Sequence, residues 1–134
     1  MDINSSVLHY FGGRIYKALV AFSGELCEIR LRTGKPLAVS LSDKTAYLCE
    51  NGSISQDGEK AVQVTAEDIR RTFEAVCRYS VHSCQSRINR GFVTVSGGHR
   101  AGLCGTAVYS GDGRIENIKY ISGINFRIAR EVLG

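Results

Sequence analysis

The stretch from Phe92 to Arg130 constrains the fold most, because it alternates between apolar and polar residues and is interrupted only by tight-turn sequences. Gly97-Gly98 tolerates the positive φ of a two-residue hairpin, and Ser110–Gly113 has the same turn chemistry. Alternation on both sides of such turns is typical of half-buried strands. The stretch therefore predicts an antiparallel meander of three strands, namely Phe92–Ser96, Arg100–Tyr109 and Ile115–Arg130, the last either continuous or kinked at Ser122-Gly123.

Two glycines lie inside the second of these strands. Because glycine weakens a strand, Gly102 and Gly105 predict a bulge, or a place where another backbone or a ligand comes close. Basic residues collect in the same meander: Arg100, Arg114, Lys119, Arg127 and Arg130. A basic, glycine-rich meander is either a docking surface or a sheet with tight geometry.

The first half of the chain predicts one helix and a second meander. Apolar residues recur every three or four positions over residues 5–22, which predicts a helix. Gly12-Gly13 weakens it, at about 1 kcal/mol per glycine, and predicts a break or a bend there. Asn51-Gly52 predicts a hairpin, Ser53–Lys60 a loop or frayed hairpin, and Val62–Val64 a short strand. The alternating strands before them are Cys27–Arg32, Leu37–Leu41 and Thr45–Cys49.

Thr65–Tyr79 has the clearest helix pattern in the chain. Thr65 and Asp68 stand in the capping-box relation, and an apolar face follows at helical spacing. A shorter helix is predicted over residues 81–88, with Gly91 as its stop. The order of elements predicts an α+β fold in which two antiparallel strand meanders pack with about three helices, as one sheet or as two.

Length and composition favour a single domain, residues 1–134, in the cytoplasm. The chain has no apolar run long enough to span a membrane and no secretory signal. Its five cysteines are scattered and odd in number, which predicts reduced thiols. The net charge is +4, and residues 66–134 hold ten basic against six acidic side chains. This excess invites an anionic partner, such as nucleotide phosphate, nucleic acid or an acidic protein face.

Motifs for catalysis or metal binding are missing from the sequence. The Gly34-Lys35 pair is followed by Pro36 rather than Ser or Thr, so the chain is not expected to hydrolyse ATP by itself. Cys77, His82 and Cys84 lack zinc-ligand spacing, and no nucleophile triad is recognisable. We therefore expect neither catalytic nor metal-binding residues. His99-Arg100, next to Gly97-Gly98, could contact phosphate, although a merely solvated turn is the commoner explanation.

Three segments resemble the stage III sporulation protein AA family. Glu28–Leu37 (EIRLRTGKPL) is similar to its opening EIRLRxGxPL, and Gly91–Gly105 (GFVTVSGGHRAGLCG) is similar to its GyitipGGHRvGlxG segment. Ile121–Val132 (ISGINFRIAREV) resembles its IsslNiRiareV close. The likeness spans nearly the whole chain and departs at Cys104, where the family often has a small residue, and over Ser53–Lys60.

This resemblance implies the N-terminal domain of an ATPase similar to the ring-forming ATPases of type II and type IV secretion. The implied partners are its own C-terminal P-loop domain, further copies in a homo-oligomeric ring, and membrane proteins of a channel between mother cell and forespore. ATP and Mg would belong to the parent protein, with no cofactor in this chain. The implied location is the mother-cell cytoplasm, peripheral at the membrane through partners.

The same resemblance implies which residues reach nucleotide phosphates. Arg100, Arg127 and Arg130 are the candidates, with His99 as a fourth. Two other classes of function stay open: a small basic nucleic-acid-binding module, and a protein-docking domain without nucleotide contact. Gly102–Gly105 has the GxxG spacing of a KH loop, but its two middle residues are apolar, which disfavours that kind of nucleic-acid site.

Overall fold

The computed structural model describes residues 7–78, 92–95, 97–109 and 115–129, with the backbone alone for 106–109 and 115–120. The short helix predicted over 81–88, the Ser110–Gly113 turn and Arg130 lie outside the described residues. No helix in the described part is long and apolar enough to cross a membrane.

The described strands form one antiparallel sheet of seven strands in the order β4-β3-β2-β1-β7-β6-β5. The α+β prediction is confirmed, and the two predicted meanders join edge to edge where β1 pairs with β7. Glu28 lies opposite Arg127, and Arg32 lies opposite Gly123. The strands are β1 Glu28–Arg32, β2 Ala38–Ser40, β3 Thr45–Leu48, β4 Ile54–Ser55, β5 Phe92–Thr94, β6 Arg100–Tyr109 and β7 Ile115–Arg127.

One face of this sheet is buried beneath two α-helices, α1 Gly13–Ala21 and α2 Ala66–Arg78. Alternate residues of each strand point into a single core, as the period of two requires. The buried strand residues include Ile29, Leu31, Val39, Leu48, Val93, Ala101, Ile124 and Phe126, and they pack with Ile15, Leu19, Ile69 and Val76 of the helices. The side chains between them point to the opposite face, which we call the open face.

The helix predicted over 5–22 is divided in two. A 3-10 helix, Leu8–Tyr10, is followed by α1, and the break predicted at Gly12-Gly13 is confirmed. Gly12 is extended and Gly13 has φ +58°. A Cβ on Gly12 would stand 3.0 Å from Cδ of Arg71, so the break also makes room for a side chain of α2.

The start of α2 has the predicted capping box. Oγ1 of Thr65 accepts a hydrogen bond from the N–H of Asp68 at 3.1 Å, and Oδ2 of Asp68 accepts one from the N–H of Thr65 at 2.9 Å. Near its other end, Cys77 is half-buried and disulfide-bonded, so the prediction of reduced thiols is wrong there. Cys27, Cys49 and Cys104 form no disulfide.

Residues 53–64 are more ordered than their polar composition predicts. β4 completes the hairpin at Asn51-Gly52, and a 3-10 helix covers Gly58–Lys60. Val62 is not in a strand, because its N–H and C=O bond to the backbones of Leu48 and Leu37, at two different strand ends. Only a single bridge, Pro36 to Gln63, forms there.

Two glycines in the left-handed region allow a matched test of the hairpin at Gly52. Gly34 has φ +75°, and a Cβ there would have no neighbouring atom within 4 Å, whereas a Cβ on Gly52, at φ +88°, would overlap the carbonyl carbon of Ala21. Gly34→Ala is expected to lower the free energy of unfolding by about 1 kcal/mol, through backbone strain alone. Gly52→Ala should lower the free energy of unfolding by about 1–3 kcal/mol more than Gly34→Ala does, because the added methyl group also overpacks against α1. Urea denaturation of both variants checks this, and equal losses would contradict the close contact with α1.

Candidate functional site

The open face brings together arginines that are far apart in the sequence. Glu28, Arg127 and Arg100 are direct neighbours across β1, β7 and β6. Because neighbouring strands lie about 4.8 Å apart, the Cα atoms of these three residues lie within about 10 Å of one another. Of the predicted phosphate contacts, the structure therefore places Arg100 and Arg127 side by side.

A second row of residues runs parallel to the first, two positions along each strand. It contains Arg30, Asn125, Gly102 and Phe92 on β1, β7, β6 and β5. Arg32 follows on β1, opposite Gly123. The described part of the open face thus carries four arginines: Arg30, Arg32, Arg100 and Arg127.

A cavity of about 260 Å³ opens between the two rows. It is lined by Glu28, Phe92, Arg100, Gly102, Asn125 and Arg127. Gly102 forms part of its floor, where a Cβ would stand 3.7 Å from the carbonyl oxygen of Asn125 and would project into the cavity. Gly105 lies at a shift of register between Cys104 and Thr106, which confirms the bulge predicted in this strand.

The four arginines differ in how they are held. Nε of Arg30 lies 3.1 Å from Oε1 of Glu28, and NH1 of Arg32 donates to Oδ1 of Asn125 at 2.9 Å. Cζ of Arg100 lies 5.2 Å from the ring centroid of Phe92, a cation–π contact that leaves its N–H donors available. Among the described residues, neither Arg100 nor Arg127 has a carboxylate partner. Their guanidinium groups are exposed and can donate paired hydrogen bonds to phosphate or carboxylate oxygens.

His99 belongs to the core rather than to the open face. Its side chain is 2% exposed, and its Nδ1 accepts a hydrogen bond from the backbone N–H of Ala129 at 2.9 Å. The ring also packs on Phe126, with centroids 6.0 Å apart. Burial, and then the charge of His9, lowers the pKa of His99 below its ordinary value of 6.5, so the imidazole is neutral at physiological pH. His99 therefore ties the β5–β6 hairpin to the end of β7.

Arg30, Arg32 and Asn125 also lie on this face, and the sequence alone does not predict them as part of the site. Alternation in β1 predicts that both arginines point away from the core, but no local pattern predicts that β7 pairs with β1. No local signal could have placed them together, because Arg32 and Asn125 are 93 positions apart in the sequence. Arg130, the remaining predicted contact, lies outside the described residues.

Comparison with known proteins gives a consistent result. A family model described as "Sporulation stage III, protein AA" matches residues 4–134. The chain is 30% identical over 110 residues to "Stage III sporulation protein AA" of Bacillus subtilis (strain 168), and the match covers 82% of this chain and 32% of that protein. The chain therefore spans about a third of the length of this relative. No solved structure matches it.

The hydrogen bond to His99 can be tested by two substitutions. His99→Ala leaves the N–H of Ala129 without its acceptor and opens a cavity, so the free energy of unfolding should fall by about 2 kcal/mol or more. His99→Asn can keep an acceptor near the position of Nδ1 and should lose less. Urea denaturation at neutral pH measures both, and an equal loss would show that the hydrogen bond does not contribute.

The depressed pKa of His99 also predicts a pH dependence. The unfolded chain binds a proton at His99 more readily than the folded chain, so this contribution to stability is complete above about pH 6.5 and is lost as the pH falls through the folded pKa. The same denaturation, repeated below pH 6.5, should show a steeper loss for the wild type than for His99→Asn. If the free energy of unfolding falls equally with pH in the two proteins, the pH dependence does not come from the lowered pKa of His99.

Proposed function

The chain belongs to the stage III sporulation protein AA family, and from this premise we propose that it is the N-terminal accessory domain of a sporulation ATPase. A role in sporulation follows from the family. The finer proposal is that a P-loop domain of the same polypeptide follows residues 1–134 and holds ATP and Mg, while this domain supplies arginines to the nucleotide phosphates. We expect no ATPase activity from this domain on its own, because in this proposal the P-loop domain holds the nucleotide.

The observation that carries the proposal is the cross-strand pairing of Arg100 and Arg127 on the open face. Each side chain is exposed and lacks a carboxylate partner in the described part of the chain. Two such guanidinium groups can stabilise the charge on phosphoryl oxygens supplied by another domain, as arginines do in phosphoryl transfer. Arg130 stays in the proposal as a third arginine. His99 is left out of it, because its ring is buried and bonded to Ala129.

The open face also suggests where the partner domain binds. In the described residues both α-helices pack on the opposite face, so the arginines are left for a second domain to cover. The proposed partners are the ATPase domain, further copies of the parent protein in a homo-oligomeric ring, and membrane proteins of the channel between mother cell and forespore. The proposed location is the mother-cell cytoplasm, at the membrane through those partners.

A nucleic-acid-binding module is the second candidate. Phe92 and Tyr47 lie on the same open face as the arginines, and aromatic rings beside cationic side chains can bind single strands by stacking. The two candidates differ in their response to salt. Affinity for an oligonucleotide that falls steeply with salt concentration would favour the second candidate, because counterion release sets that slope.

The proposal predicts that arginine variants impair the parent enzyme. In the full-length protein, Arg100→Ala and Arg127→Ala should each lower ATP turnover by about 10²-fold or more, the loss expected when one donor to a transition-state oxyanion is removed. Arg14→Ala is the matched control, because Arg14 is also exposed but lies on α1, paired with Glu50. Wild-type turnover in both open-face variants would contradict the proposal. So would a parent coding sequence that lacks a P-loop motif.

A further inference from the structure

The orientation of the Asn125 side chain is fixed by a neighbouring arginine. NH1 of Arg32 lies 2.9 Å from Oδ1 of Asn125. A guanidinium group has only donors, so the atom that faces it must be the amide oxygen, not the amide nitrogen. The amide nitrogen, with two N–H donors, is then the polar end that Asn125 can offer to the cavity it lines.

Arg32 is itself held in place by the sheet. Its guanidinium group crosses β7 directly over Gly123, where a Cβ would stand 2.7 Å from NH1 and 2.9 Å from Cδ. Any larger residue at position 123 would displace the side chain. Arg32 is half-buried, and beside it the N–H of Thr33 donates to the carbonyl oxygen of Ser122 at 3.0 Å. The contact between Arg32 and Asn125 is therefore built into the pairing of β1 with β7.

The cavity then collects donors from two neighbouring strands. Two guanidinium groups line the cavity, that of Arg100 on β6 and that of Arg127 on β7. The amide of Asn125, also on β7, lies beside them, and Gly102 in the floor has no side chain. Among the described lining residues the carboxylate is that of Glu28. Its Oε1 lies 3.1 Å from Nε of Arg30, which offsets its negative charge. Several donors facing one small cavity suit an oxyanion better than a neutral or cationic ligand.

We propose that Asn125 joins Arg100 and Arg127 as an anion-binding residue of this cavity and that Arg32 is the positioning residue that turns its amide nitrogen toward the ligand. The ligand class is a phosphoryl oxyanion, shared by inorganic pyrophosphate and the phosphates of a nucleotide. This inference rests on the proposed function for the role of Arg100 and Arg127. It adds two residues to the site: Asn125, which donates from its amide nitrogen, and Arg32, which orients that amide.

The direct test is a titration of the 134-residue chain, labelled with ¹⁵N, with inorganic pyrophosphate. The side-chain NH₂ signals of Asn125 should shift and saturate together with the Nε signals of Arg100 and Arg127. Asn51 provides an internal control, because its Oδ1 also accepts a hydrogen bond but it lies on the turn between β3 and β4. Its NH₂ signals should not move.

Substitutions measure what the amide contributes. Asn125→Ala should weaken pyrophosphate binding about tenfold, the effect expected for one hydrogen bond to a charged ligand. Asn125→Asp keeps the shape and the contact with Arg32 but replaces the donor with a carboxylate, so binding should weaken further. Asn51→Ala should bind like the wild type. Unfolding free energies of all variants separate lost binding from lost folding.

A double-mutant cycle tests the positioning role of Arg32. Arg32→Ala should weaken binding both by loss of positive charge and by release of the Asn125 amide. In the Asn125→Ala background only the charge effect remains, so Arg32→Ala should lower the pyrophosphate affinity less there than in the wild type. Equal losses in both backgrounds would overturn the positioning role.

The outcomes separate this inference from the proposed function. If Arg100→Ala and Arg127→Ala weaken pyrophosphate binding while Asn125→Ala does not, the inference fails and the proposed function stands. If the Asn125 signals do not move in the wild type at millimolar pyrophosphate, the inference fails, and ATP turnover of the full-length arginine variants still decides the proposed function. If neither arginine affects binding or turnover, both fail.

Discussion

The pairing of β1 with β7 is the interaction on which the rest of the structure depends. It joins Glu28–Arg32 to residues 123–127 and so makes one sheet from two meanders that are each local in sequence. On one side of the sheet the pairing places Ile29 and Leu31 beside Phe126 and Ile124 in the core. On the other side it places Glu28 beside Arg127 and lets Arg32 reach Asn125. The core and the candidate site therefore depend on the same strand pairing.

The two faces of the sheet then have different roles. The buried face is apolar in the described residues, apart from His99 and Thr72, and His99 has its Nδ1 bonded to the backbone of Ala129. A buried polar group is tolerable when it is hydrogen-bonded, and here the bond also fixes the hairpin that leads into Arg100. A histidine in the core thus supports the position of an arginine on the opposite face.

The open face divides its arginines between structure and binding. Arg30 and Arg32 are engaged by Glu28 and Asn125, which lie on the same face. Among the described residues, Arg100 contacts the ring of Phe92, and Arg127 is exposed beside it. The partly exposed ion pair of Arg30 and Glu28 contributes little to stability, and its two charges offset each other. The available positive charge is concentrated at the β6–β7 end of the cavity.

The sequence by itself determined the elements with local causes. Alternation predicted most strands, the Thr65–Asp68 capping box predicted the start of α2, and Gly97-Gly98 predicted its hairpin, with φ values of 88° and 82°. Only the tertiary structure decided that β1 pairs with β7, that residue 62 bonds to two strand ends, and that His99 points inward. These depend on contacts between residues distant in the chain, such as the 93 positions that separate Arg32 from Asn125, and local periodicity does not encode them. The juxtaposition of Arg100, Arg127, Arg32 and Asn125 is of this second kind, because register across strands places them and no motif does.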